Sequence, residues 1–214
     1  MRLNVTSEIG KRKSVLVHLP GREIDLMVPS MMAQLLFDDI LYGQVAREEH
    51  RRFQQLIRFI ASDVIDILDL LEEVLQDDEA RDFIVRDLGK RNRLNRRLIG
   101  SLLEQPADKL AEILIAGIPR EKEESGELPK FDIFPVPNLF FMRDPQVVIG
   151  NGIVISSMAT QARRRESLLS KYVFEHHPSF RDEKHFFIDF MAAEPGRPMP
   201  RKPPAFEVGD LLIP

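Results

Sequence analysis

Four short segments of the chain gather the side chains that could do chemistry. The first, 36–39, sets Leu36 and Phe37 before two acids, Asp38 and Asp39. Two adjacent acids also do no more than end a helix. The second, 137–145, reads Pro-Asn-Leu-Phe-Phe-Met-Arg-Asp-Pro and crowds Asn138, Phe140, Phe141, Arg143 and Asp144 between two prolines. Aromatic faces beside a carboxylate form a receptor for a flat cation, because ring and acid both favour positive charge. The plainer alternative is an Arg143–Asp144 surface pair in a loop. The third, 162–166, runs Ala-Arg-Arg-Arg-Glu. Such a run is usually solvated, yet an arginine there can hold a carboxylate in two parallel hydrogen bonds, which lysine cannot match. The fourth, 206–210, is Phe-Glu-Val-Gly-Asp, two acids around a glycine. Many turns share that spacing.

The remaining candidates read as structural. His18 sits at a strand end, His50 near the apolar face of a helix, His176 and His177 at a helix end, and His185 at the start of an apolar strand. No pairing of them has metal-ligand spacing. Six basic residues (Arg86, Lys90, Arg91, Arg93, Arg96 and Arg97) would suit a phosphate or an acidic partner, although a solvated surface explains them more simply. The chain has no cysteine, which excludes a disulfide scaffold, a thiolate metal site and a cysteine nucleophile of its own.

The elements that must position these residues alternate between two characters. The pattern predicts a strand over 14–18, a turn at Pro20-Gly21 and a helix over 31–36. It predicts a longer helix over 44–61, with Ala46, Phe53, Ile57 and Ile60 on one face, and a returning strand over 63–68. From 70 to 118 the strand-like alternation disappears, and several short helices are expected. Asp77 or Asp78 would cap one of them, Pro106 would sit in a first turn, and Gly117 would take the left-handed position past a helix ending at Ala116. Residues 120–130 read as an exposed connection. Beyond it, Gly150-Asn151-Gly152 marks a hairpin between strands at 146–149 and 153–156. A helix over 162–174, a strand over 185–190, a proline-rich extended loop over 194–204 and a strand or turn over 206–213 complete the pattern. The fold class is α/β, with a helical insertion: 1–69 and 119–214 as α/β parts, and 70–118 between them.

Composition sets the frame. At 214 residues, 43% hydrophobic and 30% charged, the chain is long enough to bury a core and is not of a disordered type. A net charge of −4 gives no reason to expect nucleic acid as a partner. Residues 1–10 lack the apolar stretch of a signal peptide, and no run approaches the roughly 18 apolar residues of a membrane span. A cytoplasmic protein with no membrane partner is the expectation.

In order and spacing, the four segments resemble those of the arginine deiminases, metal-free hydrolases that convert arginine to citrulline and ammonia. The likeness runs from 5–10 through 14–18, 36–39 and 138–144 to 149–152, 162–166 and 171–178, with Asn-x-x-Phe-x-Arg-Asp at 138–144 its most specific part. The resemblance implies a partial pentein fold, a ring of αββαβ units of which this chain would supply about the first half. It implies Asp144 and Glu207 as the catalytic acids that grip the guanidinium. Leu36, Asn138, Phe141, Arg143 and Arg163 are implied as substrate-binding, Asn138 and Arg163 at the α-carboxylate and Phe141 beside the substrate. It implies no cofactor and no metal.

In that family a cysteine thiolate attacks the guanidinium carbon, and a histidine serves as general acid and base. Both are expected in the second half, so the chain alone is expected to be inactive as an N-terminal fragment. It is expected to self-associate or to pair with the missing half, since a half-built ring leaves strand edges uncovered. The different reading is a non-catalytic remnant that binds a guanidino ligand or a partner protein. One departure stands out: where the family has Glu-Gly-Gly-Asp, this chain has Glu207-Val208-Gly209-Asp210. Valine is poorly suited to any backbone conformation that reserves the position for glycine.

Overall fold

The structure is a computed structural model that describes residues 3–120, 131–180, 186–189, 206 and 213. It begins with a parallel strand pair. β1 (Ser14–Val17) leads through α1 (Arg22–Asp25), a 3-10 turn (Pro29–Met31), α2 (Met32–Leu35) and α3 (Gly43–Ile57) to β2 (Asp63–Asp66). The two strands pair in register from Ser14 with Asp63 to Val17 with Asp66.

The junction past these strands is held by charge. His18 is buried, its Nδ1 lying 3.2 Å from Asp66 Oδ1 and its Nε2 3.2 Å from Glu23 Oε1. Asp66 Oδ2 also accepts from the Leu19 amide at 2.7 Å, and Oδ1 from the Leu68 amide at 3.0 Å, which caps the next helix. Burial works to lower the imidazole pKa, but the hydrogen bonds and charges of Asp66 and Glu23 outweigh it and raise it to about 9.

α3 departs from its amphipathic expectation. It ends at Ile57 rather than 61, and Ile57 and Gly43 are its buried residues. Phe53 and Ile60 are more than half exposed, as is Leu56. A two-stranded sheet presents too little surface to cover the whole apolar stripe. Only Ile57 and Ala61 reach the cluster formed with Val17, Val15 and Val64.

Where the sequence predicts several short helices, four follow: α4 (Ile67–Leu75), which begins within the span expected as strand, α5 (Asp78–Asn92), α6 (Arg96–Leu103) and α7 (Ala107–Ala116). The predicted cap of α5 is Asp77, which accepts from the amides of Glu79 at 3.0 Å and Ala80 at 3.1 Å. Pro106 precedes α7 as its cap rather than sitting in its first turn. Gly117 does come after α7 with a positive φ of 82°, but its ψ of 178° is not that of a left-handed helical residue. The position still needs glycine, because a β-carbon would meet the Ile133 carbonyl.

These helices share one core with the second α/β part of the chain. There β3 (Ile118–Pro119) pairs antiparallel with β4 (Phe131–Ile133), a 3-10 turn spans Pro137–Phe140, and β5 (Gln146–Ile149) forms a hairpin with β6 (Gly152–Ile155). Gly150 has φ of 57° and Asn151 does not have positive φ, so the hairpin has glycine at its first central position, as type II′ requires. α8 (Arg164–His176) returns to β7 (Phe186–Asp189), which pairs parallel to β6. Leu75, Ile84, Leu110, Leu114, Leu139, Ile153 and Val173 are fully buried together.

Tyr172 on α8 donates its hydroxyl to Asp87 on α5, and Arg91 Nε reaches the same carboxylate at 2.7 Å. Arg86 pairs in the same i, i+4 manner with Asp82 at 2.7 Å. Two members of the basic cluster are therefore already matched by acids of their own helix. The connection 121–130, His185 and the loop 194–204 lie outside the described residues, as does most of 206–213. Among the described residues, no helix is long and apolar enough to cross a membrane.

His18 makes stability pH-dependent in a defined window. Its folded pKa of about 9 exceeds the ordinary 6.5, so its contribution is full below 6.5 and is lost as pH rises through 9. Urea unfolding from pH 6 to 10 is expected to show a decline that the His18→Gln variant lacks. Parallel curves for the two proteins, or an imidazole that titrates near 6.5 by NMR, would refute the assignment.

Candidate functional site

Asp144 is placed by two consecutive backbone turns. Pro137 pre-sets φ at the start of the 3-10 turn. The Phe141 amide donates to the Asn138 carbonyl at 3.0 Å and the Asp144 amide to the Phe141 carbonyl at 3.1 Å. β6 then fixes the far end: the Ser156 hydroxyl donates to the Asp144 carbonyl, and the Ser156 amide to that of Pro145 at 3.0 Å. The Asp144 carboxylate points to Arg163, whose Nη2 donates to Oδ2 at 2.9 Å.

Arg163 closes the 3-10 turn Gln161–Arg163 and precedes α8. It is buried at 7% exposure, and so is Glu166 at 1%. Glu166 Oε2 accepts from Arg163 Nε at 3.1 Å and from Nη2 at 2.8 Å. Burial acts to lower the Arg163 pKa, but its bonds to Glu166 and then Asp144 raise it, so the guanidinium stays charged. For Glu166 burial prevails over those bonds and pushes its pKa up to about 7.

Asn138 makes a second buried contact, with the residue before Leu36, whose own side chain is 55% exposed. Asn138, 4% exposed, donates its Nδ2 to the Leu35 carbonyl at 2.7 Å. That carbonyl belongs to the last turn of α2, where intrahelical donors run out. Leu36 comes next, in the left-handed region at φ 62° and ψ 42°. That conformation costs an L-residue about 1–2 kcal/mol. Leu35 packs with Met27, Met31 and Phe131, and Ala162, next to Arg163, packs on the same cluster. The Leu36 turn and the Arg163 turn are thus fastened to one another.

The other anticipated residues divide. Phe141 is half exposed, its ring 4.1 Å from that of Phe140. Arg143 points elsewhere: its Nη2 donates to Glu8 at 2.7 Å, and Glu8 also accepts from the Ile213 amide at 3.0 Å. The plainer Arg143–Asp144 pair does not form, since each has a distant partner. Asp39 accepts from its neighbour's amide, Ile40, at 2.7 Å, a local turn role. Glu207 lies outside the described residues, but Phe206 pairs with Ser157 through 2.9 and 3.0 Å backbone bonds. Ser157 is adjacent to the Ser156 that supports Asp144.

Glu166 and Ser156 are site residues that the sequence pattern does not single out. Glu166 carries a usable signal, since an acid three residues after an arginine shares its helix face. Ser156 carries none, because only the hairpin register brings it to Asp144.

A buried arginine braced by one inward acid, with a second acid facing it, suits a ligand bearing both a flat cation and a carboxylate. The fold around it is mixed α/β. Comparison with known proteins is specific: the family model "Arginine deiminase" matches residues 33–213. The arginine deiminase of Clostridium perfringens is 36% identical, with 83% of this chain and 47% of that protein covered. That of Streptococcus agalactiae is 38% identical, with 83% and 48% covered, and arginine deiminase 1 of Staphylococcus epidermidis is 37% identical, with 85% and 47% covered. The chain belongs to the arginine deiminase family. It spans about half the length of the curated relatives it matches.

Removing the Asn138 amide leaves the Leu35 carbonyl buried without its donor. Asn138→Ala is expected to lower unfolding stability by about 1–3 kcal/mol in denaturant titration. A loss within error would show that the Leu36 turn does not depend on this bond.

Proposed function

We propose that this chain is the substrate-gripping portion of an arginine deiminase that converts L-arginine to L-citrulline and ammonia. The observation that carries the reading is the 2.9 Å contact of Asp144 with Arg163 in a chain of this family. These are the residues read as guanidinium acceptor and carboxylate donor. Asp144 receives the substrate's N–H groups, because a carboxylate and a guanidinium form paired, charge-assisted bonds in fixed orientation. Arg163, with Asn138 beside the Leu36 turn, faces the α-carboxylate, and Phe141 lies along the substrate. Glu207 is the second acid. Phe206, bridged to Ser157, supports that role by bringing the preceding backbone beside the strand end that carries Asp144's support.

The surrounding fold is then part of a pentein ring, with residues 70–118 as its helical insertion, working in the cytoplasm. Positioning and charge are what these residues supply. The attacking thiolate comes from outside the present chain, since its 214 residues include no cysteine, and the family resemblance assigns the acid–base histidine to the same missing half. Completion by the remaining half or by self-association is part of the same reading.

Titration of the purified chain with L-arginine, alongside a citrulline assay, tests it. Saturable binding without turnover is expected, and Asp144→Ala is expected to weaken that binding at least tenfold. In a completed enzyme Asp144→Ala abolishes turnover, whereas Arg163→Ala chiefly raises KM. Robust citrulline formation by the chain alone would overturn the assignment of bond-making to a cysteine elsewhere. Binding indifferent to Asp144→Ala would overturn the site.

A further inference from the structure

Glu166 is a buried acid whose partner is a side chain of the site, and its geometry defines what it can do. It grips Arg163 along one edge, taking Nε at 3.1 Å and Nη2 at 2.8 Å with one oxygen and approaching Nε at 3.3 Å with the other. Asp144 takes the second hydrogen of Nη2 at 2.9 Å. Nη1 is bonded to neither acid, so among the described residues the guanidinium keeps an N–H₂ group that these two carboxylates do not use. Glu166 itself sits in the first turn of α8, thirteen residues long, whose hydrophobic neighbours Leu168, Leu169 and Val173 are buried in the main core. Its backbone cannot swing.

We propose that Glu166 is a positioning residue: by clamping the Nε–Nη2 edge of Arg163 it fixes the direction in which Nη1 meets the substrate's carboxylate. This rests on the role of Arg163 in the proposed function. The physical need is clear from the geometry. An arginine side chain has four rotatable bonds, and a guanidinium facing Asp144 alone would turn to form a two-pronged pair with it. That pair would occupy the acid and consume Nη1. A rigid carboxylate three residues along prevents the turn. Burial of both partners makes the clamp strong, because neither group has water as an alternative. It also explains why Glu166 remains buried despite the cost of desolvating an acid: it has a partner that cannot be neutralised.

Two measurements on the intact chain decide it. The first needs no ligand: the Arg163 Nε–H resonance should exchange slowly in the wild type and at least tenfold faster in Glu166→Gln. The backbone amides of β5 and β6 should be unchanged. Equal Nε–H exchange in the two proteins overturns the clamp. The second compares L-arginine with agmatine, the same guanidine without a carboxylate, in an NMR titration. Glu166→Gln should weaken L-arginine at least tenfold more than it weakens agmatine, which loses access to Asp144 but has no carboxylate to misplace, and Glu166→Asp, a methylene too short, should not restore it. Equal weakening of both ligands would mean that Glu166 merely supports the fold, and would sink the positioning role. If the wild type binds neither ligand, the arginine reading fails, while the exchange measurement still decides whether Glu166 orients Arg163.

Discussion

A cation that cannot be neutralised and is removed from water has to be matched by acids, and Arg163 imposes that condition on its whole neighbourhood. Breaking a buried pair costs about 3–5 kcal/mol, whereas an exposed pair contributes less than about 1 kcal/mol. Pairs such as Arg86–Asp82 and Lys109–Glu112 on the solvent side therefore decide little. Arg163 decides a great deal. Glu166 must be rigid, so it sits on a helix whose other face is core. Asp144 must face the same group, so its backbone is pinned by the turns from Pro137 and by Ser156 on β6. Three segments distant in sequence are committed to one point by one charge.

The same solution holds the parallel pair at the other end of the chain. His18 stands between Asp66 and Glu23, as Arg163 stands between Glu166 and Asp144. The difference lies in the cation. An imidazole can lose its proton and a guanidinium cannot, so the first junction loosens in alkali while the second keeps its charge. Asp66 adds a helix cap to its role, accepting from Leu68, so strand end, turn and α4 are joined by one carboxylate. α4 in turn contributes Ile67, Leu71 and Leu75 to the core that α8 shares. A continuous packed path therefore connects the two charged centres.

How much of this is legible in the residues alone varies with the range of the interaction. Asp77 before α5 and Gly150 in the hairpin are local devices, whose physics is complete within four residues, and both sit where the pattern puts them. Pro106 falls one position outside the turn expected for it, as the cap of α7, and Gly117 is right in place but not in a left-handed helical conformation, at a point where the backbone of β4 comes close. α3 shows a different failure. Periodicity identifies a helix with an apolar stripe, but burial requires a surface to receive it, and Phe53 and Ile60 meet none among the described residues. At the site, Asp144 and Arg163 are legible as chemistry but not as a contact, since 19 residues and a hairpin separate them. Arg143 shows the converse: adjacency suggests Asp144 as its partner, and its partner is Glu8, at 135 residues' remove.

Under the proposed function, the resting contact between Asp144 and Arg163 resembles the ligand it awaits. L-Arginine carries a guanidinium at one end and a carboxylate at the other, so binding exchanges one internal ion pair for two external ones. A ligand with only the cationic end would occupy Asp144 and leave Arg163 with Glu166 alone. A ligand with only the carboxylate would do the reverse. Each case leaves a desolvated group short of a partner, and sites built on buried polar groups reject incomplete ligands for that reason. Discrimination of this kind needs no bond-making residue, so the grip can be selective in a chain that has no cysteine to complete the reaction.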